Sequence, residues 1–283
     1  MAIKIGEINE LTVKRETDIS YTLTDGYEDF FLHFNQTPNP LQIGEKVKAF
    51  LYYDQKKRLC ATLEQPFITA TKYGLVKVVN IHGDAGVFVD IGISKDILLS
   101  KDFLPASKKL WPIVGDEIYC ILKLKSDQLV ARLLNKNDVD EIKSPLAIGS
   151  EVEGIVSHIS DIGIGLFASS LAYIFVHKSL MRKTYRIGEK LTVKIININK
   201  HNDYNGSLIE QKELARIGDS KIILHALQVR GGVVPVGDAS TPEEIFQAFK
   251  MSKGAFKRAV GLLYKEGLII IEDQRIILKD FQP

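Results

Sequence analysis

Cysteine is scarce in this sequence, and long apolar runs are missing. Only 2 of the 283 residues are cysteine. Cys60 and Cys120 lie in separate apolar stretches and form no metal-spaced pair, so a disulfide framework is excluded and both thiols are expected to be small buried hydrophobes. No apolar stretch approaches the ~20 residues that span a bilayer, and no signal-peptide core follows Met1. We therefore expect a cytoplasmic protein.

An excess of charge of one sign is also missing. The 37 lysines and arginines nearly balance the 35 aspartates and glutamates, which gives a net charge of +2. Binding of a nucleic acid would therefore have to depend on local cation clusters and on aromatic stacking rather than on a large basic field. With 45% hydrophobic and 25% charged residues and only 9 prolines, the composition is that of a folded chain.

Sequence signatures of catalysis are lacking as well. There is no phosphate-binding lysine loop, no HExxH zinc helix and no nucleophile elbow, and the six histidines have no acidic partners at ligand spacing. The segment 163–168 imitates a dinucleotide fingerprint, but the segment after it, 173–176, predicts a strand instead of the required helix. We interpret this segment as a corner of a barrel and expect no enzyme, no cofactor and no metal site.

What the sequence does contain is an internal repeat. Gly44, Gly115 and Gly188 each begin a signature of glycine, acid, any residue and aliphatic residue, at intervals of about seventy residues. Each signature is followed by an apolar run, an acid-containing turn and a second apolar run, a pattern typical of two strands and a tight turn. A period this long exceeds that of solenoid repeats, so each copy is expected to close its own core.

The middle repeat predicts the fold of each copy most clearly. Five short strand-like runs with glycines at the corners follow one another in about seventy residues, which favours a small closed barrel. The predicted domains are three barrels at 1–66, 67–138 and 139–212 and a different domain at 213–283. The predicted fold class is mainly β, with a C-terminal α+β domain.

The tail changes from a period of two to a period near 3.6. Asp219-Ser220, Thr241 and Ser252 are predicted N-caps of three helices, the second with a capping box. Phe246 and Tyr264 are assigned to the apolar faces of the second and third helices. A hairpin follows, around residues 273–274. Helix, strand, two helices and a two-stranded wing are the elements of a winged helix-turn-helix domain.

The middle repeat resembles the RNA-binding repeat of ribosomal protein S1 in several segments: Gly74-Leu75-Val76, Gly86-Val87-Phe88-Val89-Asp90, Leu98-Leu99, Gly115-Asp116 and the stretch from Asp127 to Leu133. The resemblance implies a five-stranded oligonucleotide-binding barrel. Three such repeats followed by this tail resemble, over essentially the full chain, the bacterial conserved virulence factor B family, which implies a regulator of gene expression.

The S1 resemblance implies where nucleic acid would bind on each barrel. Such a repeat carries two aromatics, a histidine and an arginine on one face. In this chain Phe88 matches the second aromatic, His33 and His177 match the histidine, and Arg132 matches the arginine. Alternative roles are a core aromatic for Phe88, hydrogen-bonded rim residues for the histidines and a solvated strand end for Arg132.

Two cation clusters add candidates. The stretch after His177 mixes cations with an aromatic, as a groove that follows a nucleic-acid backbone would, although such a run is also typical of a solvated loop. Its candidates are Lys178, Arg182, Lys183, Tyr185 and Arg186. In the tail, the third helix would expose Lys253, Lys257 and Arg258 to a DNA major groove, or would instead serve as a docking surface.

Three functional hypotheses follow. The first is an RNA-binding regulator whose barrels bind single-stranded RNA with help from the winged helix. The second is a transcription regulator whose winged helix binds duplex DNA. The third is an adaptor on a ribosome or a nuclease without direct nucleic-acid contact.

Overall fold

The computed structural model describes residues 3–54, 56, 58–125, 128–139, 144–181, 183–199, 203–209 and 211–279. The chain divides into two compact units, Met1–Leu208 and Ile209–Pro283. In the described residues, the first unit contains three closed five-stranded barrels, and the second contains three helices and a three-stranded sheet. The predicted fold class is therefore confirmed.

The first barrel shows why alternating residues form these strands. Leu11, Val13, Leu23, Phe30 and Leu32 alternate with outward-facing residues, and each is at most 2% exposed. A strand turns successive side chains to opposite faces, so this spacing fills the barrel interior. The strands, which pair in the order β1-β2-β3-β5-β4, are β1 (Ile8–Glu16), β2 (Ser20–Thr24), β3 (Asp29–His33), β4 (Lys46–Tyr53) and β5 (Leu59–Thr62).

The second and third barrels repeat this topology. The strands of the second barrel are β6 (Gly74–His82), β7 (Gly86–Asp90), β8 (Ile97–Ser100), β9 (Glu117–Lys125) and β10 (Gln128–Leu133). Those of the third are β11 (Glu151–Ser160), β12 (Gly163–Ala168), β13 (Tyr173–His177), β14 (Lys190–Ile198) and β15 (Tyr204–Ser207). The interpretation of segment 163–168 as a barrel corner is wrong, because this segment forms the buried strand β12.

The glycine of the repeated signature has one structural role in all three barrels. Gly44, Gly115 and Gly188 have φ angles of +88°, +95° and +81°, which a residue without a Cβ adopts without strain. Their N–H groups donate to carbonyls in the first strand of the same barrel, those of Val13, Val78 and Val156, at 2.7 to 2.8 Å. The signature acid then accepts a hydrogen bond from the backbone N–H three residues before it, at Gln42, Ile113 and Arg186. The repeat therefore encodes a capped turn.

Side chains from all three barrels contribute to one buried cluster within the first unit, including Tyr52, Trp111 and Tyr185. The backbone also joins the second and third barrels, since the Ile187 N–H donates to the Leu110 carbonyl at 2.9 Å. The barrels are thus packed domains of a single unit.

The second unit has the predicted order of elements. Thr241 caps the second helix in a reciprocal capping box with Glu244, and Ser252 caps the third. The wing hairpin pairs Ile271 with Ile276. The elements are α1 (Gln211–Val229), β16 (Val233–Val234), α2 (Pro242–Phe249), α3 (Lys253–Lys265), β17 (Ile269–Ile271) and β18 (Ile276–Leu278).

Three details of the tail differ from the sequence prediction. Helix α1 begins at Gln211, so Ser220 lies inside it and its hydroxyl donates to the Ile217 carbonyl at 2.9 Å instead of capping. Phe246 and Tyr264 are 53% and 61% exposed and lie outside the apolar faces to which they were assigned.

None of the described helices combines the length and apolarity that a membrane span requires.

Candidate nucleic-acid interface

Phe88 lies on the outer surface of the second barrel. Its neighbours along β7, Val87 and Val89, are fully buried, whereas Phe88 is partly exposed. It pairs with Asn80 on β6 and with Leu98 on β8. We call three such cross-strand neighbours on the first, second and third strands of a barrel its outer rung. The outer rung of the second barrel thus presents an aromatic face between a polar and an aliphatic side chain.

A β-bulge positions the first residue of this rung. The register of β6 and β7 shifts between Val78 and Asn80. A bulge adds a residue to one strand and redirects the side chain that follows. Val78 is also the residue whose carbonyl accepts from the signature Gly115, so the repeated turn and the outer rung are connected through one strand.

His33 and His177 have the same structural role. The Nδ1 atoms of His33 and His177 accept backbone N–H groups of Asn35 and Ser179 at 3.1 and 3.2 Å, which caps a short 3-10 turn after β3 and β13. In the second barrel Ser100 caps the equivalent turn with its hydroxyl. Any contact with a nucleic acid would therefore use the remaining edge of each imidazole.

Arg132 is held by a carboxylate. Its guanidinium donates to both oxygens of Asp138 at 2.6 and 2.7 Å, and the two side chains are 25% and 19% exposed. The hydrogen bonds from Arg132 lower the pKa of Asp138, and the same pairing raises the pKa of Arg132. A phosphate reaching Arg132 would have to share it with this carboxylate.

Arg132 lines a groove of about 700 Å³ within the first unit. The groove also contains Phe103 and Lys123 of the second barrel and His158 and Tyr173 of the third. Burial raises the pKa of Tyr173 to about 12, so its hydroxyl stays protonated at neutral pH. The groove therefore brings an arginine, a lysine, a histidine and aromatic surface together along two barrels.

The sequence prediction missed Phe103 and its lysines. The Lys123 and Lys125 ammonium groups lie 5.8 and 6.0 Å from the centre of the partly exposed Phe103 ring. Lys125 also pairs with Asp102. The signal available in the sequence was the Lys-Leu-Lys alternation at the end of a strand, which places both cations on one face. The sequence gives no signal that Phe103 meets them.

The cation cluster after His177 separates into two groups. Lys178, Lys183 and Tyr185 line a hollow of about 330 Å³ beside the β11–β12 hairpin. Tyr185 is only 7% exposed, with the Lys183 ammonium 5.0 Å from its ring centre, so little of the ring is open to a base. Lys183 pairs with Glu189 at 2.8 Å, and that hydrogen bond raises the pKa of Lys183. Within the described part of the chain, Lys178 is exposed and makes no ion pair.

The second group joins barrels. Arg186 makes a bidentate pair with Asp116 of the second barrel, and the side chains are 25% and 13% exposed. Lys190 reaches Glu117 of the same barrel at 2.6 Å. Arg186 is thus engaged in holding two barrels together. Arg182 lies outside the described residues.

The three cations of α3 have different surroundings. Lys253 is half-buried at the start of the helix. Lys257 pairs with Asp238 at 3.1 Å with half of its side chain exposed. Arg258 is exposed and, among the residues that the structure describes, has no ion-pair partner. No group of metal-ligating side chains occurs in the described ranges.

Three family models match the chain. An S1 domain matches residues 5–64, the first S1-like domain of the CvfB type matches 73–133, and a CvfB-like winged helix domain matches 221–278. The YitL protein of Bacillus subtilis is 33% identical over 96% of this chain and 93% of its own length. Conserved virulence factor B of Staphylococcus epidermidis is 32% identical over 97% of this chain and 94% of its own length. The chain belongs to the conserved virulence factor B family.

A solved structure of similar length agrees with this assignment. It is described as a multidomain protein with nucleic acid binding domains from Streptococcus pneumoniae, is 27% identical, and covers 97% of this chain and 98% of its own with a TM-score of 0.59. The S1-like barrels and the winged helix of the conserved virulence factor B family are domain types that point to nucleic-acid binding.

Proposed function

We propose that this member of the conserved virulence factor B family is a cytoplasmic, non-catalytic protein that binds single-stranded RNA through its barrels and regulates gene expression after transcription, with assistance from the winged helix. The observation that carries the proposal is Phe88, a partly exposed aromatic on the outer surface of a closed S1-like barrel. A base can stack on such a ring whatever its identity, because every base has a π-face.

The charges around the barrels favour a flexible strand over a rigid duplex. Among the described residues, Arg132, Lys183 and Arg186 each share their charge with a carboxylate. A duplex needs many phosphate contacts on a continuous basic surface, whereas a single strand gains much of its affinity from stacking. The net charge of +2 agrees with the second mode.

Fluorescence anisotropy with the full chain tests the proposal. Labelled single-stranded RNA, single-stranded DNA and duplex DNA of equal length are compared at several salt concentrations. We expect the RNA to bind most tightly, with an affinity that falls moderately as salt rises. Equal or tighter binding of the duplex would contradict the proposal.

Removal of the Phe88 ring gives a residue-level test. Phe88→Ala is expected to weaken RNA binding by about 1–3 kcal/mol, the range for loss of one stacked base. Because Phe88 faces outward, circular dichroism of the variant should remain that of the wild type. An unchanged affinity in a folded variant would remove Phe88 from the site.

A second candidate function has one observation in its favour. Arg258 lies exposed on α3, the helix that in winged helix-turn-helix domains enters a major groove. If the protein regulates transcription by this route, Arg258→Ala should weaken duplex binding and leave single-stranded RNA binding unchanged. The opposite pattern, a loss for RNA alone, would assign the winged helix to RNA.

A further inference from the structure

The residues that match Phe88 in the other two barrels, Thr22 and Gly165, are not aromatic, yet each of them pairs with a phenylalanine on the neighbouring strand. The outer rung of the first barrel is Arg15, Thr22 and Phe31, and that of the third barrel is His158, Gly165 and Phe175. Both follow a bulge, as in the second barrel: the register shifts between Val13 and Arg15 and between Val156 and His158.

Each outer rung therefore holds one phenylalanine, on one of two neighbouring strands. In the second barrel it is Phe88 on the second strand, opposite Leu98. In the first and third barrels it is Phe31 and Phe175 on the third strand, opposite the small residues Thr22 and Gly165. Cross-strand neighbours lie about 5 Å apart, so a ring on either strand can cover much the same patch of surface.

The barrel interiors do not require these rings. Phe31 stands between Phe30 and Leu32, and Phe175 between Ile174 and Val176, all four of them 0% exposed. Phe31 and Phe175 point to the opposite face of the sheet and are partly exposed. Phe31 is partly buried and packs against the hydrophobic cluster shared by the barrels.

The third barrel shows how its aromatics lie. A Cβ at Gly163 would come 2.9 Å from the Phe175 Cζ atom, and a Cβ at Gly165 would come 2.0 Å from the Tyr173 hydroxyl. The Phe175 ring therefore extends over Gly163 of β12, and the Tyr173 ring extends over Gly165. Phe175 is partly exposed on this surface, as a ring that stacks on a base must be.

Groups that bind phosphate or base edges surround both rings. The Arg58 guanidinium, which shares its charge with Asp54 at 2.7 Å, is 5.8 Å from the Phe31 ring centre. The His33 ring is 6.2 Å from Phe31, and Arg15 belongs to the same outer rung. Near Phe175 the rung residue is His158, which also lines the groove with Arg132, and His177 follows on the same strand face.

We propose that Phe31 and Phe175 stack on bases of the bound strand, so that each barrel contributes one aromatic from its outer rung and none of the three is a non-binding spacer. This inference rests on the proposed function and extends it from one barrel to three. It also predicts a ligand of a particular kind: a single strand long enough to place unpaired bases on several barrels.

Leucine variants test the proposal with little disturbance of the fold, because leucine already occupies the same rung position in the second barrel, at Leu98. Phe31→Leu, Phe175→Leu and Phe88→Leu are compared by anisotropy with a single-stranded RNA of about 30 nucleotides. Phe67→Leu is the matched control, since Phe67 is 53% exposed but lies on none of the barrel strands.

We expect each rung variant to weaken RNA binding about five-fold or more, and the Phe67 control to change it less than two-fold. The salt dependence should stay that of the wild type, because stacking releases no counterions. Photocrosslinking to an RNA that contains 5-iodouridine, followed by peptide mass spectrometry, should place adducts on the peptides containing Phe31 and Phe175.

The outcomes separate the two proposals. A wild-type protein that fails to bind single-stranded RNA overturns the proposed function and this inference with it. Wild-type binding that is weakened by Phe88→Leu alone overturns the inference and leaves the proposed function standing. Equal losses in the three rung variants and the Phe67 control would show a general effect of losing a phenylalanine and would also reject it.

Discussion

The Arg186–Asp116 pair gives the sharpest structural prediction, because Arg186, a residue predicted to bind nucleic acid, joins two barrels. Two unit charges about 4 Å apart attract by about 4 kcal/mol at an effective dielectric constant of about 20, and desolvation offsets part of this. With side-chain exposures of 25% and 13%, the pair lies between exposed pairs worth about 0.2–1 kcal/mol and buried pairs whose disruption costs about 3–5 kcal/mol. We expect Arg186→Met to destabilise the junction by about 1.5–3 kcal/mol.

The single tryptophan is placed to report this loss. Trp111 is 6% exposed and follows Leu110, whose carbonyl accepts the Ile187 N–H beside Arg186. Urea unfolding followed by Trp111 fluorescence therefore monitors the junction of the second and third barrels. Asp116→Asn keeps an acceptor for the Ile113 N–H, and together with Arg186→Met it completes a double-mutant cycle.

The cycle has a matched control in the same segment. Lys183 and Glu189 also pair, but Lys183 is 62% exposed, so their coupling should stay below about 0.5 kcal/mol. We expect a coupling of about 1–2 kcal/mol for Arg186 and Asp116. Additive effects of Arg186→Met and Asp116→Asn would refute the assignment of Arg186 to the junction. A marked fall in the salt dependence of RNA binding on Arg186→Met would return Arg186 to the nucleic-acid interface.

Two further predictions concern glycine and pH. Gly115→Ala should lower the free energy of unfolding by only about 1–2 kcal/mol, since its positive φ is strained for alanine but its Cβ would meet no atom within 4 Å. Gly86→Ala should lower it clearly more, because its Cβ would lie 2.1 Å from the Leu99 carbonyl oxygen. Equal losses in thermal unfolding would contradict this. Pairing with Arg132 lowers the folded-state pKa of Asp138. The contribution of this pair to stability should therefore be complete above the unfolded pKa of about 4 and disappear as pH falls through the lower folded value. Asp138→Asn should flatten the acid limb of a curve of stability against pH, and an unaltered limb would exclude this role.

The barrels could be predicted from the sequence because their turns are encoded locally. A glycine at positive φ and an acid that accepts the N–H three residues earlier both lie within one short segment, and the same segment recurs three times. The capping box of Thr241 is local in the same sense. Where local signals agree with the fold, reading them is enough to place the elements.

The start of α1 and the environment of the cations could not be predicted for a related reason. Asp219-Ser220 is a good local cap, yet the helix runs through it from Gln211, so the local preference does not decide where the helix begins. Arg186 finds its carboxylate 70 positions away in sequence. A cation run looks the same in sequence whether its charges meet phosphates or acids of a neighbouring domain, so its role depends on the fold.

The outer rungs show why binding residues are harder to trace through a repeat than turns are. A turn depends on the φ angle of one particular residue, so its glycine keeps its position in all three copies. A stacking surface needs only a ring at a place on the sheet, and Thr22 with Phe31, Phe88 with Leu98, and Gly165 with Phe175 provide it from either strand. Since one stacked base contributes about 1–3 kcal/mol and the net charge adds little, a protein of this kind needs several such surfaces acting on one strand to bind it tightly. Because the ring can stand on either strand, the residues on which affinity most depends do not recur at one fixed position of the repeat, and the sequence alone does not identify them.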